Sequence, residues 1–437
     1  MLTQFPFRRI SVIGLGYIGL PTAAMFASRK LEVVGVDVNL HAVETINRGE
    51  IHIIEPDLDI VVQATVAQGY LRATTVPEPA EAFLIAVPTP FKGDDHEPDL
   101  SYIEAAARAI APVLKTGDLV VLESTSPVGA TLRMADWLAE ARPDLTFPQD
   151  AGEASDIRIA HCPERVLPGK VMQELITNDR VIGGMTRRCS REAALLYKMF
   201  VSGDCVIASS PQVAEMAKLT ENSFRDVNIA FANELSLICD RLEISVWELI
   251  SLANRHPRVN ILQPGPGVGG HCIAVDPWFI VSSAPDLSRL IRTAREVNDT
   301  KPEWVLEQVR AAIGAVLMGA PGRSACDVTL AIYGLAFKPD IDDLRESPAL
   351  EIARDLAATH PGAISIIEPN IDALPSGFDR ARLVPFAAAA DADVHVMLVD
   401  HQAFKSVPAP AGLIVDVRGV WSSGPVKSLW KKSLGLQ

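Results

Sequence analysis

The sequence predicts an α/β protein: two doubly wound parallel-sheet domains joined by a long central helix and a helical middle domain. Three observations predict it. Near the N-terminus an apolar strand runs into a glycine-rich turn and an alanine-rich helix, and an acid closes the next strand. A helical stretch from 211 to about 241 is too long for an ordinary crossover. After residue 318 apolar strands and helices alternate afresh. The expected domains are 1–210, 211–318 and 319–437.

Residues 9–14 read as the first buried strand, and Gly14-x-Gly16-x-x-Gly19 opens a helix that is established by about Pro21. A second strand, 31–36, ends at Asp37. Gly14 to Asp37 is 23 residues (37 − 14), close to the spacing of about 20 in a dinucleotide-binding fingerprint. The glycines admit a pyrophosphate to the helix N-terminus, where amides and dipole favour an anion. Asp37 binds ribose hydroxyls and repels a 2′-phosphate, so NAD is the expected cofactor rather than NADP. A tight turn with a capping aspartate is the plainer alternative. Further strands are expected at 82–87, 119–123, 157–162, 180–183 and 205–207, and polar 147–156 reads as a mobile loop. Helices continue to about 318. The second half then offers strands at 328–333, 364–367, 394–399 and 413–417 around a helix at 347–358. Ser347 fits an N-cap with Pro348 at the first helical position, and Glu368 stands where Asp37 stands in the first half. Both halves are thus expected to be Rossmann-like.

Composition narrows the function. A net charge of −14 argues against nucleic-acid binding. Residues 1–9 lack the apolar core of a signal peptide, and no apolar run is long enough to span a bilayer. The six cysteines, at 162, 189, 205, 239, 272 and 326, form no CxxC pair, and no histidine pair has ligand spacing. No metal site is expected, and a reducing cytoplasm fits best.

The motif richest in chemistry is the stretch 264–276, Pro-Gly-Pro-Gly-Val-Gly-Gly-His-Cys-Ile-Ala-Val-Asp. Glycines let a backbone pass close to a ligand, so Cys272 is a placed thiol, with Asp276 four residues on. A placed thiol beside a dinucleotide site suggests oxidation through a thioester. The alternative is a small buried hydrophobe. Lys218, Asn222 and Arg225 share one helix face, which suits donors to an oxyanion or a solvated polar stripe. Within 162–169, Glu164 is placed to act on water and Arg165 to meet a phosphate or sugar, unless the two form a surface ion pair. In 337–348, Lys338 and Arg345 suit phosphates, or simply solvate a turn. His256 and Arg258 are surface or interface residues.

Together these segments, six motifs in order over nearly the whole chain, resemble the UDP-glucose/GDP-mannose dehydrogenase family. The forms Cys-Pro-Glu-Arg-Val-Leu-Pro-Gly at 162–169 and Gly-Gly-His-Cys at 269–272 resemble most its branch acting on UDP-N-acetyl-D-mannosamine. UDP-glucose, GDP-mannose and UDP-N-acetylglucosamine are the alternative substrates. The resemblance implies an NAD-dependent four-electron oxidation of a sugar C6 hydroxyl to a carboxylate, with Cys272 as nucleophile. It implies Lys218 and Asn222 around the reacting oxygen, Asp276 managing protons with Lys218, and Glu164 in thioester hydrolysis. Thr125 falls near the nicotinamide. Tyr17, Ile18, Asp37, Thr89 and Arg345 fall at NAD positions. Arg165, Val166, Arg225, His256, Arg258, Gly269, Lys338 and Arg418 fall at nucleotide-sugar positions, Arg258 reaching a partner's site in a homodimer built around the long helix. The product is implied to feed bacterial surface polysaccharide. One departure stands out: many relatives carry an arginine where this chain has Ala42. Two competing functions remain, a single-hydride hydroxyacid-type dehydrogenase and a non-catalytic nucleotide-binding protein.

Overall fold

A computed structural model describes residues 7–93, 96–167, 169–270 and 272–421. Pro168 and His271, both within motifs of interest, lie outside the described residues, as do the first six and last sixteen positions. The chain divides into two compact units, one of residues 1–221 with 278–285, the other of 222–277 with 286–437. Each is described by itself.

The first unit carries strands β1 (Arg9–Ile13), β2 (Glu32–Val36), β3 (Leu71–Thr74), β4 (Ala82–Ile85), β5 (Phe91–Lys92), β6 (Glu97–Pro98), β7 (Leu119–Leu122), β8 (Arg158–His161), β9 (Arg180–Gly184) and β10 (Cys205–Ile207). Apart from the small β5–β6 hairpin they form one sheet in the order β3-β2-β1-β4-β7-β8-β9-β10. Every pairing is parallel except β8 with β9. The first six in that order reproduce the doubly wound dinucleotide-binding arrangement. Strands β4, β7 and β8 are buried throughout, because helices cover both faces of a parallel sheet. One face packs on Phe26, Tyr197 and Phe200, the other on Trp137 and Phe147.

The second unit holds β11 (Leu330–Tyr333), β12 (Ile364–Ile367), β13 (Ala381–Leu383), β14 (Val394–Met397) and β15 (Leu413–Asp416), all parallel in the order β13-β12-β11-β14-β15. Ser347 caps the helix Pro348–Thr359, its Oγ accepting from the Leu350 amide at 3.3 Å, with Pro348 in the first turn.

The long helix spans Pro211–Leu242, so its residues fall in both units. A second long helix, Arg289–Gly319, follows. Among the described residues no helix is long and apolar enough to cross a membrane. Two expectations need correction. Polar 147–156 is ordered: Pro148–Ala151 is helical, Gly152–Ala154 is a 3₁₀ turn, and Asp156 accepts from the Thr146 amide and hydroxyl. The first helix begins at Gly19 rather than near Pro21. Short β3, β5, β6 and β13 escape sequence reading because two to four residues carry no readable periodicity.

Candidate active site

The dinucleotide cradle lies where the sheet order reverses, between β1 and β4. Gly14 has φ +89°, and a Cβ there would sit 2.6 Å from the Ala86 carbonyl oxygen. A Cβ on Gly19 would lie 1.8 Å from the Gly14 oxygen. Gly16 differs: its Cβ would meet nothing within 4 Å. Two glycines therefore serve the turn and the third leaves open space at the helix start, where a pyrophosphate fits. Asp37 accepts from the Leu15 amide at 2.8 Å and the Asn39 amide at 2.8 Å, which aims its carboxylate at the cradle rim. Tyr17 and Ile18 lie half-buried beside it. The Thr89 hydroxyl is buried with no hydrogen-bond partner among the described residues, a polar atom awaiting a ligand. These features fit NAD. Ala42 lies on the buried face of the helix Leu40–Asn47.

The equivalent acid of the second unit has a further partner. Glu368 accepts from the Leu335 amide at 2.7 Å, as Asp37 does from Leu15. Its carboxylate is buried and also bonded to His401 Nε2 at 3.1 Å. It also accepts from the Asn370 amide at 3.1 Å, as Asp37 does from Asn39, so the likeness in position holds and the His401 bond is what differs.

Three of the candidate catalytic residues lie in the first unit. Thr125 follows Glu123 and Ser124 at the end of β7, and Ser124 Oγ donates to the Val87 carbonyl at 2.6 Å. The following turn is tied to the long helix by buried Glu215, which accepts from the amides of Gly129 (2.6 Å) and Thr131 (2.8 Å). Lys218, three residues on, is 9% exposed, and its Nζ makes no hydrogen bond or ion pair among the described residues. A nearly buried ammonium without a counter-charge is poised for a negative charge from a ligand. Glu164 is 6% exposed; Arg180 pairs with its Oε2, and the Arg165 amide donates to its Oε1 at 2.6 Å. Arg165 itself forks onto Glu221 of the long helix at 2.6 and 3.1 Å, and Val166 packs on the core.

The rest of the set lies in the second unit. Asn222, one turn after Lys218, donates from Nδ2 to Asp276 Oδ2 at 2.5 Å, and Asp276 is 3% exposed. The Asp276 amide donates to the Cys272 carbonyl at 2.8 Å, while Cys272 is exposed. The Asp276 carboxylate and the Asn222 amide thus meet at the start of the helix Asp276–Ser283, with the Cys272 backbone turned into that start. The glycines before Cys272 have a visible reason. A Cβ on Gly269 would lie 2.2 Å from the Glu346 carbonyl oxygen and 2.9 Å from Phe337 Cβ. Gly270, at φ +85°, lies against the Phe337 ring. The thiol loop is therefore pressed onto the loop bearing Lys338 and Arg345. Arg418 braces its other end, bonding the Pro264 carbonyl at 3.1 Å while its guanidinium pairs with Asp400 at 2.6 Å.

Residues 8–201 match the NAD-binding domain of the UDP-glucose/GDP-mannose dehydrogenase family, 212–300 its central domain and 331–423 its UDP-binding domain. The chain belongs to this family. A UDP-N-acetyl-D-mannosamine dehydrogenase of Yersinia pestis is 67% identical over 421 residues, covering 95% of this chain and 99% of that one. An NDP-N-acetyl-D-galactosaminuronic acid dehydrogenase of Ralstonia nicotianae is 62% identical over 421 residues, covering 95% and 97%. Among solved structures, a UDP-D-ManNAc dehydrogenase of Pyrococcus horikoshii aligns with TM-score 0.83 at 38% identity, covering 96% and 97%. The family's cofactor-binding domain makes NAD the cofactor.

Within this family member some expected ligand contacts are engaged elsewhere. Arg345 forks onto Asp343 at 2.6 and 2.8 Å. Arg225, His256 and Arg258 are exposed. Several positioning residues left no mark in the sequence reading: Glu215, Glu221, Asp343 and Asp400. Glu215, Glu221 and Asp400 are lone acids in their segments, and the amide or arginine partners named above come from other parts of the chain. The carboxylate at 343 alone had a local signal, two residues before Arg345.

Proposed function

We propose that this protein oxidises the C6 hydroxyl of UDP-N-acetyl-D-mannosamine to the carboxylate, using two NAD per sugar and a covalent Cys272 intermediate. The observation that supports the covalent route is the Asn222–Asp276 bond at a helix start whose first amide donates to the Cys272 carbonyl. The chain divides for this work into an NAD-binding part (1–210), a central part (211–318) and a UDP-sugar-binding part (319–437).

NAD supplies the hydride acceptor, once for the alcohol and once for the thiohemiacetal. The Cys272 thiolate adds to the C6 carbonyl carbon, forming a C–S bond and leaving an oxyanion. Lys218 Nζ stabilises that oxygen, because it has no competing partner. Asn222 spends one N–H on Asp276 and keeps the second for the same oxygen. After the second oxidation, water adds to the thioester carbon, the C–S bond breaks and the thiolate returns. Asp276 takes the water proton; Glu164 contributes a fixed carboxylate to this hydrolysis. Arg418, Lys338 and Arg165 supply positive charge for the diphosphate.

The mannosamine assignment draws on the Yersinia relative's name, and the Ralstonia relative supports a second reading, an N-acetylgalactosamine-type sugar. A panel of UDP-linked mannosamine, galactosamine and glucosamine derivatives with UDP-glucose and GDP-mannose separates these by kcat/KM. Two NADH per sugar are expected, and Cys272→Ser should stall before carboxylate release. One NADH per sugar, or full turnover in that variant, sinks the thioester route.

The active form is a homodimer. On the long helix, Phe224, Phe231 and Ile238 recur every seven residues and are 71%, 52% and 45% exposed. A Phe224→Glu/Phe231→Glu variant should elute as a monomer. The six cysteines are all unpaired as disulfides among the described residues, which suits a reducing cytoplasm.

A further inference from the structure

Behind Glu164 lies a buried charge cluster that the reaction above does not use. Arg180 opens β9 and is 2% exposed. Its NH1 pairs with Glu164 Oε2, and its NH2 donates to the Leu175 carbonyl at 3.3 Å. The guanidinium lies over the rings of Tyr197 and Phe200, 5.3 and 5.8 Å from their centres. Tyr197 donates its hydroxyl to Glu123 Oε1 at 2.7 Å, and Glu123 is two residues before Thr125. One cation, fixed from four sides, thus holds the Glu164 loop and packs on the ring whose hydroxyl bonds Glu123.

Such a pair is expensive to desolvate, and apolar replacements often match it in stability, so stability alone does not account for it. What it provides is direction. Both Glu164 oxygens are occupied, Oε2 by Arg180 and Oε1 by the Arg165 amide, so the carboxylate has one orientation. We propose that Arg180 is a positioning residue for thioester hydrolysis, acting through Glu164 and not on the hydride steps. This rests on the reading that Glu164 serves hydrolysis. Burial pushes the Glu123 carboxyl up to about 7, holds the Cys162 thiol far above its usual range and lowers His161 to about 3. Glu164 is the carboxylate in direct contact with the cation.

The test is rapid-quench kinetics on the full chain with NAD and the nucleotide sugar accepted in the panel. Glu164→Gln should form its first two NADH per subunit at close to the wild-type rate. It should then turn over ~10- to 100-fold more slowly, with a uronyl thioester on Cys272 found by mass spectrometry of the quenched protein. Arg180→Met should reproduce that pattern. Should Arg180→Met fold poorly with a buried anion left alone, the Arg180→Met/Glu164→Gln pair removes both charges. Added to Glu164→Gln, Arg180→Met should then cause no further loss. A slowed first hydride in Arg180→Met, unchanged steady-state turnover, or a further loss in the double variant would overturn the positioning role. If Glu164→Gln itself accumulates no thioester, the hydrolytic reading of Glu164 fails, whatever Arg180 does.

Discussion

Gly16→Ala isolates cofactor approach from folding. A Cβ on Gly16 meets nothing within 4 Å in the protein, whereas one on Gly14 lies 2.6 Å from a carbonyl oxygen in a backbone held at φ +89°. The Gly16 methyl should therefore leave stability within about 0.5 kcal/mol of wild type, as for an unconstrained surface change. The only group left to collide with it is the pyrophosphate. Pushing the phosphate off the helix amides forfeits a charged hydrogen bond of about 1.5–3 kcal/mol. At about 1.4 kcal/mol per decade, Kd for NAD should rise roughly 10- to 100-fold. Titration calorimetry measures the affinity, and thermal unfolding without NAD measures stability. Gly14→Ala, run beside it, should destabilise the protein by about 1–3 kcal/mol. Unchanged NAD affinity in Gly16→Ala would show that the open space is not where the cofactor lies. Lost stability would show that the glycine is there for the turn.

Three further outcomes are expected. The Glu123 carboxyl is raised to about 7 from 4.5, so the folded state holds its proton more tightly between those values, and stability falls as pH rises through that window. Glu123→Gln should remove the fall, gaining on the order of 3 kcal/mol over wild type above pH 7, read from denaturant unfolding at pH 5 and 8. Lys301 shows the opposite sign: burial lowers its ammonium to about 7 from 10.5, so stability should rise with pH from about 7 toward 10.5, by up to about 5 kcal/mol, and Lys301→Met should flatten that rise. Asn222→Ala strips buried Asp276 of its amide donor, which should cost about 1–3 kcal/mol in stability and lower kcat by about 10²–10³; a kcat within threefold of wild type would rule out the oxyanion role.

Much of this was legible in local sequence because it depends on local chemistry. Gly14, Gly16, Gly19 and Asp37 announce their turn and helix start through fixed offsets, and Ser347-Pro348 announces a helix N-terminus. Lys218 and Asn222 are four residues apart, so helix geometry alone places them on one face. The 147–156 stretch misled because polar, glycine-bearing sequence reads as loop, while Phe147 anchors it in the core and Asp156 clasps Thr146. Glu368 stands as its offset from the strand implies, accepting from the two backbone amides equivalent to those on Asp37, while the added bond from His401, 33 residues later, left no local signal.

The chain's sequence alone determined that an NAD cradle, a glycine-led thiol and a donor-bearing helix exist, since each is written in residues a few positions apart. Tertiary structure alone decided what faces them. Asp276 lies 54 residues from Asn222, Arg180 lies 16 from Glu164, and Phe337 lies 67 from Gly270 (337 − 270). Pairings across such separations depend on which strands and helices pack together. Packing is set by the summed burial of whole elements, not by any motif within one.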